Sequence, residues 1–535
     1  MEQHERPVNK FYAWIPLLCG VCIGAGILIG TVISPGAPQG ADLSPYDKIK
    51  AVLGFVEKNY VDTVNSDQLI EASLVDILQH LDPHSGYYTA QEVVEMNEPL
   101  QGNFSGVGVE YNIIHDTVVV VNVIRGGPAQ AAGLLTGDRL VSADGINITG
   151  DSAQEAVVKR RLRGVAGSVV NVSYVRYGKS GVQVAKITRG SIPIFSVESS
   201  YMLNANTGYI RLTRFAETSY DEFMKAADTL RQQGMKKLVF DLRSNGGGLL
   251  DIAIKICDEF LSEGQMIVYT KGRADGEEKT IATRKGTLEK VELVILIDEN
   301  SASASEIVAG AIQDNDRGIL VGRRSFGKGL VQQEQQLSDG SAFRLTIARY
   351  YTPTGRCIQK PYGENMDDYE QDAMRRFRNG ELLHADSIHF PDSLKFKTPK
   401  GKVVYGGGGI MPDIFVPLDT SGNSSYLNHL YYADVFTLWS LDYEKSSEGK
   451  AWKQKGFEAF RKSFEVTDAH VSQLYKVAEA NKVAADASGQ KQSEKLIRRY
   501  IKSFAARILF GDIGYYPVWN DEDPVIRAAL SAHSN

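Results

Sequence analysis

The chain has 535 residues, 43% of them hydrophobic and 23% charged, with a formal net charge of −6. That length holds about two to four domains with a sizeable core, and the slightly acidic balance excludes the basic face of a nucleic-acid binder. Four cysteines are too few for a disulfide framework.

Residues Phe11 to Ser34 are 24 consecutive uncharged and mainly apolar residues, enough to cross about 30 Å of hydrocarbon. They predict a transmembrane signal-anchor over 11–34. Arg6 and Lys10 place residues 1–10 in the cytoplasm and the body outside it, on the periplasmic side of a cell inner membrane. A cleaved signal peptide competes with the anchor, because Gly36-Ala-Pro-Gln-Gly-Ala41 offers small residues. The apolar run is nevertheless longer than a usual signal core, and no small-x-small site follows it directly. Cys19 and Cys22 lie inside the run and read as membrane-facing; Cys257 and Cys357 leave one bridge open in the body.

Residues 43–96 carry apolar positions at helical spacing, among them Ile49, Val52, Leu53 and Val56, then Leu74, Ile77 and Leu78, and read as two or three helices. His80 and His84 are four apart, but Pro83 interrupts the helix that would bring them together on a metal, so a structural use is expected.

From 97 to 190 short strands such as Val118 to Ile124 and Val169 to Arg176 alternate with glycine turns. The run Gly127-Pro-Ala-Gln-Ala-Ala-Gly133 through Gly137-Asp138 to Asp144-Gly145 resembles a PDZ domain of the bacterial form. That resemblance makes Ser105-Gly106-Val107-Gly108-Val109 the loop whose backbone N–H groups receive a peptide's C-terminal carboxylate, with Asp151 to Arg163 as the helix lining the groove.

Between 191 and 420 strands and helices alternate. The strands are Tyr209 to Leu212, Leu238 to Leu242, Ile267 to Tyr269, Val291 to Ile297 and Ile319 to Val321; the helices are Tyr220 to Gln232, Leu249 to Leu261 and Ser305 to Ile312. Such alternation predicts a parallel sheet with covering helices. Gly246 to Gly248 follow a strand where a phosphate is often cradled, yet no P-loop or dinucleotide spacing accompanies them, so oxyanion donation suits them better. In Ser301-Ala-Ser303-Ala-Ser305 the small residues let a substrate backbone approach, although an isolated set of this kind would more often be N-caps. Lys328 changes that balance. It sits among glycines after an apolar strand, where desolvation lowers an amine's pKa and lets it take a serine proton without a histidine. Gln332, four residues along an expected strand, falls on the same face by the period of two and can orient the amine.

Three blocks, Asp241-Leu-Arg-Ser-Asn-Gly-Gly-Gly248, Asn300-Ser-Ala-Ser-Ala-Ser-Glu306 and Ser325-Phe-Gly-Lys-Gly-Leu-Val-Gln332, resemble the signature blocks of the C-terminal processing peptidases, or tail-specific proteases. The resemblance extends from about Leu43 to Pro417, with Gly406-Gly-Gly-Gly-Ile-Met-Pro-Asp413 as its closing block. It implies an α/β fold, a crotonase/ClpP-like protease core with an inserted PDZ domain, to which the apolar run 11–34 adds an N-terminal transmembrane helix and the helical spacing on either side adds helical flanking regions. It also implies Ser303 as nucleophile, Lys328 as general base, Gln332 as its assistant, and the N–H groups of Gly248 and Ala304 as the oxyanion hole. Neither cofactor nor metal is implied.

Residues 421–535 read mostly as helices and hold tryptophans 439, 452 and 519; they carry no motif, and their aromatic content predicts a packed fold. The expected function is a membrane-anchored serine endopeptidase that takes protein substrates by their C-termini, with a homodimer or an adaptor protein left open as further partners. A non-catalytic PDZ scaffold of the envelope is the rival from another class, and acyl-CoA chemistry on a crotonase-like sheet is a second. The intact Ser, Lys and Gln set speaks against the first; the lysine block and the PDZ insertion speak against the second.

Overall fold

The computed structural model describes residues 14–33, 44–363 and 366–533, in two compact units, Met1–Asp76 and Ile77–Asn535. In the first, the helix Ile15–Ile33 carries no charge and exposes large apolar side chains all round, among them Leu17, Leu18, Val21, Ile23, Ile27 and Leu28. The expected cytoplasmic residues 1–10 and the ends of the expected span, 11–13 and 34, lie outside the described residues. Among the described residues no helix is long and apolar enough to cross a membrane. A second helix, Pro45–Asn59, starts where Ser44 accepts the Asp47 N–H at 3.2 Å and proline takes the first turn.

The second unit is built on a six-stranded sheet in the order Val197–Met202, Thr207–Leu212, Lys237–Asp241, Glu292–Ile297, Ile319–Gly322, Ile414–Phe415. The first pair is antiparallel and every later pair parallel. The central strands are apolar on both sides because both faces are covered. Leu238, Phe240, Leu293, Ile295 and Ile297 meet Phe223, Ile256, Phe260, Ile307 and Val308 of the helices Ser219–Gln232, Leu250–Phe260 and Ala304–Asp314. Val239, Val294 and Leu296 meet Val525, Ile526 and Ala529 of Pro524–Ser531, near the end of the chain. Parallel strands bring their carboxyl ends to one edge. There the glycine run after Asp241, the serine turn after Ile297 and the loop after Gly322 all emerge, which is where open α/β sheets place ligands.

A second, antiparallel sheet was not expected. Its long strand Ala342–Tyr351 pairs with Gly86–Tyr88, Met266–Gly272 and Leu330–Gln336, and Gly276–Ile281 lies beyond Met266–Gly272. The strand read at Ile267 to Tyr269 therefore belongs here and not to the parallel sheet: a short apolar run gives its conformation but not its partner.

The inserted domain has strands in the order Val109–Ile114, Thr117–Val123, Arg139–Ala143, Val169–Val175, Gln183–Thr188, with the helix Glu155–Leu162 beside them. Asn103–Gly106 and Gly190–Pro193 pair where the chain enters and leaves it. The C-terminal helices share a core of Tyr426, Leu430, Phe436, Trp439, Phe460 and Ile497, with Trp452 packed against it. Cys257 and Cys357, the pair left open for a bridge, are free thiols.

Candidate active site

Three serines follow the strand Glu292–Ile297, and their surroundings separate them. Ser301 is fully buried and donates to the Leu242 carbonyl at 2.8 Å; Ser305 is fully buried and donates to the Asn245 carbonyl at 2.9 Å. Both stitch the turn to the neighbouring strand's loop. Ser303 stays half-buried, and no hydrogen bond of its hydroxyl to a neighbouring side chain or carbonyl is found among the described residues. Its backbone has φ 54° and ψ −114°, a conformation that a residue with a Cβ holds only when its surroundings impose it. The surroundings do: its N–H reaches Glu306 Oε2 at 2.9 Å, and its carbonyl accepts from the Glu306 N–H at 2.8 Å and the Tyr350 hydroxyl at 3.2 Å.

The glycine run lies against this turn. Gly247, with φ 102°, would bring a Cβ to 2.8 Å from both the Ala302 carbonyl oxygen and the Ser303 Cβ. Gly248, with φ 145°, would drive one to 2.2 Å from the Phe215 carbonyl oxygen. Neither position has room for a side chain. The run is held by Asn245, whose Oδ1 takes the Gly247 N–H at 2.9 Å and whose Nδ2 donates to the Leu212 carbonyl at 2.9 Å. Ala304 opens the helix Ala304–Asp314, where N–H groups have no partner within the helix. Among the described residues, no acceptor is found for the N–H of either Ala304 or Gly248.

Lys328 Nζ donates to Gln332 Oε1 at 2.8 Å, and Gln332 Nε2 in turn donates to the His84 carbonyl. The contact expected from the spacing is present, although its geometry is different. Lys328 precedes the strand Leu330–Gln336, whose register shifts between Val331 and Gln332. Burial and then the Arg344 cation pull the Lys328 amine below its ordinary value, against Asp82 and Glu306. His84 joins the site through its backbone carbonyl. Its ring meets the Tyr369 hydroxyl at 2.7 Å, and burial, with Lys328 next, pushes its imidazole down to about 4.

Glu306 ties these pieces together. It is fully buried and accepts four hydrogen bonds: Ser303 N–H at 2.9 Å, Lys328 N–H at 2.9 Å, Gly327 N–H at 2.7 Å and the Ser325 hydroxyl at 2.5 Å. Burial pushes its carboxyl up to about 7 while these donors pull the other way. One carboxylate thus holds the backbones of Ser303 and Lys328, and the Tyr350 hydroxyl sits between the carbonyls of the same two residues. Glu306, Tyr350 and His84 were not read from the sequence as site residues. Ser303-x-x-Glu306 did carry a signal, since it has the spacing of a capping box.

The loop Gly106, Val107, Gly108, Val109 lies away from this cluster, in the inserted domain. Val107 is buried and its carbonyl accepts the Ala129 N–H at 2.8 Å; the Gly108 carbonyl accepts the Ile124 N–H at 3.1 Å. Among the described residues no acceptor is found for the N–H groups of Val107 and Gly108. The loop borders a groove of about 670 Å³ between Val109–Ile114 and Glu155–Leu162.

Residues 206–367 match the model of peptidase family S41, residues 105–187 that of the PDZ domain, and residues 426–511 that of a family of unknown function, DUF8443. A carboxy-terminal-processing protease of Bartonella bacilliformis is 38% identical over 309 residues, 57% of this chain and 70% of that protein. A carboxy-terminal processing protease of Bacillus subtilis is 30% identical over 318 residues, 59% of this chain and 67% of that protein. Among solved structures, a photosystem II D1 C-terminal processing protease is 26% identical, with coverage of 69% and 86% and a TM-score of 0.36.

Proposed function

Because the chain belongs to the carboxy-terminal processing proteases of peptidase family S41 and is a serine-type peptidase, we propose that Ser303 is its nucleophile and that it cleaves proteins recognised by their C-termini. The Ser303 hydroxyl attacks the scissile carbonyl, and its proton passes to the neutral Lys328 amine and on to the leaving nitrogen. Water then cleaves the acyl ester with Lys328 again as base. Gln332 holds the amine, and the Gly248 and Ala304 N–H groups receive the oxyanion. The observation that carries this reading is the buried Glu306, which holds Ser303 and Lys328 together.

The base must be uncharged to accept a proton, so activity is low where Lys328 is protonated and rises with pH to a plateau above its folded pKa. Burial and Arg344 lower that pKa, so the midpoint of kcat/KM is expected well below the ordinary lysine value of about 10.4. Arg344→Ala removes one lowering charge and should move the limb to higher pH; an unmoved limb would argue against Lys328 as the titrating group.

Tail recognition is assigned to the loop Gly106 to Val109, whose N–H donors suit a terminal carboxylate. The test is the cleavage of one protein substrate with a free and with an amidated apolar C-terminus. Faster cleavage of the free end is expected, and equal rates would remove tail recognition. The uncharged run 11–34 supports a membrane anchor with the body on the periplasmic side. Resistance of the protein to carbonate extraction from membranes is the expected result, and quantitative release would overturn the anchor.

A further inference from the structure

We propose that Asp434, carried by the C-terminal helical region, selects a basic side chain at the fourth residue from the end of a tail held in the PDZ groove. The inference rests on the tail-binding reading above and adds to it a second recognition element from a region whose family has no assigned function.

The strand Val109–Ile114 is shared by two neighbours. Val109, Tyr111 and Ile113 pack against the core of the inserted domain, so Glu110 and Asn112 point to the opposite face by the alternation of a strand. That face meets the C-terminal helices. Arg507 pairs with Glu110 at 3.6 Å, Asn112 Nδ2 donates to Asp434 Oδ1 at 2.6 Å, and Leu441 packs with Ile114 and Val119. Asp434 lines the groove itself and is the lining residue that the C-terminal region contributes.

Its carboxylate is half-buried at the start of the helix Val435–Lys445, and its side-chain partners are neutral: Asn112, and Thr437 at 3.4 Å. Among the described residues it has no cationic partner. The two cations that line the groove are already engaged, Lys159 with Glu95 at 2.9 Å and Arg163 with Glu98. Glu155, at the start of that helix, adds a further negative charge to the groove lining.

A tail added antiparallel to Val109–Ile114, with its carboxylate at the Gly106 to Val109 loop, sets its last residue beside Val109 and its fourth from the end beside Asn112. Side chains directly opposite in an antiparallel pair share a face. The last and third-from-last side chains therefore turn toward the core of the inserted domain, and the second and fourth turn toward the C-terminal helices. The second meets Glu110, which Arg507 already neutralises. The fourth meets Asn112 and Asp434, where a lysine or arginine supplies the missing charge.

The test uses the full-length Ser303→Ala protein and fluorescein-labelled peptides with a free apolar C-terminus, carrying Lys, Ala or Glu at the fourth residue from the end, read by anisotropy. The Lys peptide is expected to bind about threefold tighter than the Ala peptide and the Glu peptide about threefold more weakly, the range of a partly exposed ion pair. In Asp434→Asn the three should converge. Equal binding of the Lys and Ala peptides to the protein with Asp434 intact would overturn the proposal, as would a Lys preference that survives Asp434→Asn. An amidated Lys peptide separates the two readings: binding as tight as the free peptide overturns tail recognition, whereas preference for the free end without preference for Lys overturns only the role of Asp434.

Discussion

Ser303→Ala and Lys328→Met are each expected to lower kcat/KM by roughly 10⁴-fold or more, because removing either member of a nucleophile–base unit costs nearly the whole of its effect. Stability should hardly change. Among the described residues no hydrogen bond ties the Ser303 hydroxyl to another element, and Lys328 places a desolvated amine beside Gln332, which methionine relieves. Gln332→Ala should cost less than either, since it positions the amine and transfers no proton. Thermal melts beside the kinetics separate lost chemistry from lost fold: a Lys328→Met enzyme with near-normal turnover would contradict the assignment, whereas inactivity with an unchanged melt supports it.

The second large effect is structural. Arg356 and Asp314 are both fully buried, paired at 2.6 Å. Arg356 also donates to Gln313 Oε1 at 2.7 Å and to the Tyr405 carbonyl at 2.9 Å, and Asp314 accepts from Thr354 N–H and hydroxyl at 3.1 and 2.7 Å. Asp314 is the last residue of the helix that Ala304 opens, a place where a carboxylate is disfavoured by the helix dipole without a nearby cation. Arg356→Met leaves that carboxylate buried and uncompensated, and is expected to cost about 3–5 kcal/mol, whereas Arg356→Met with Asp314→Leu should cost less. Urea unfolding midpoints read both; a single replacement within about 1 kcal/mol of the parent protein would show the pair to be incidental.

What could be read from the sequence follows from how local each signal is. The serine turn, the glycine run and the Lys328–Gln332 spacing lie within short stretches beside apolar strands, and the structure brings the three stretches together because parallel strands end on one edge. The parts that escaped are those that depend on distant partners. Leu330–Gln336 is mostly polar and exposed, so no alternation announced the antiparallel sheet that carries Gln332. His84 contributes a carbonyl, which any residue has, across a separation of 248 residues. Glu306 stands at capping-box spacing from Ser303, yet its carboxylate is shared among four donors from two loops. The helix Pro524–Ser531 covers one face of the parallel sheet through Val525, Ile526 and Ala529, and nothing in a short apolar helix names the surface it seals.

The surroundings of Ser301, Ser303 and Ser305 make the central claim open to a direct measurement. Acid quenching of the enzyme during turnover of a peptide ester, followed by proteolytic mapping by mass spectrometry, is expected to place the acyl group on Ser303, with none on the protein carrying Ser303→Ala. An acyl group on Ser301 or Ser305, or continued hydrolysis of a protein substrate by Ser303→Ala, would contradict the account.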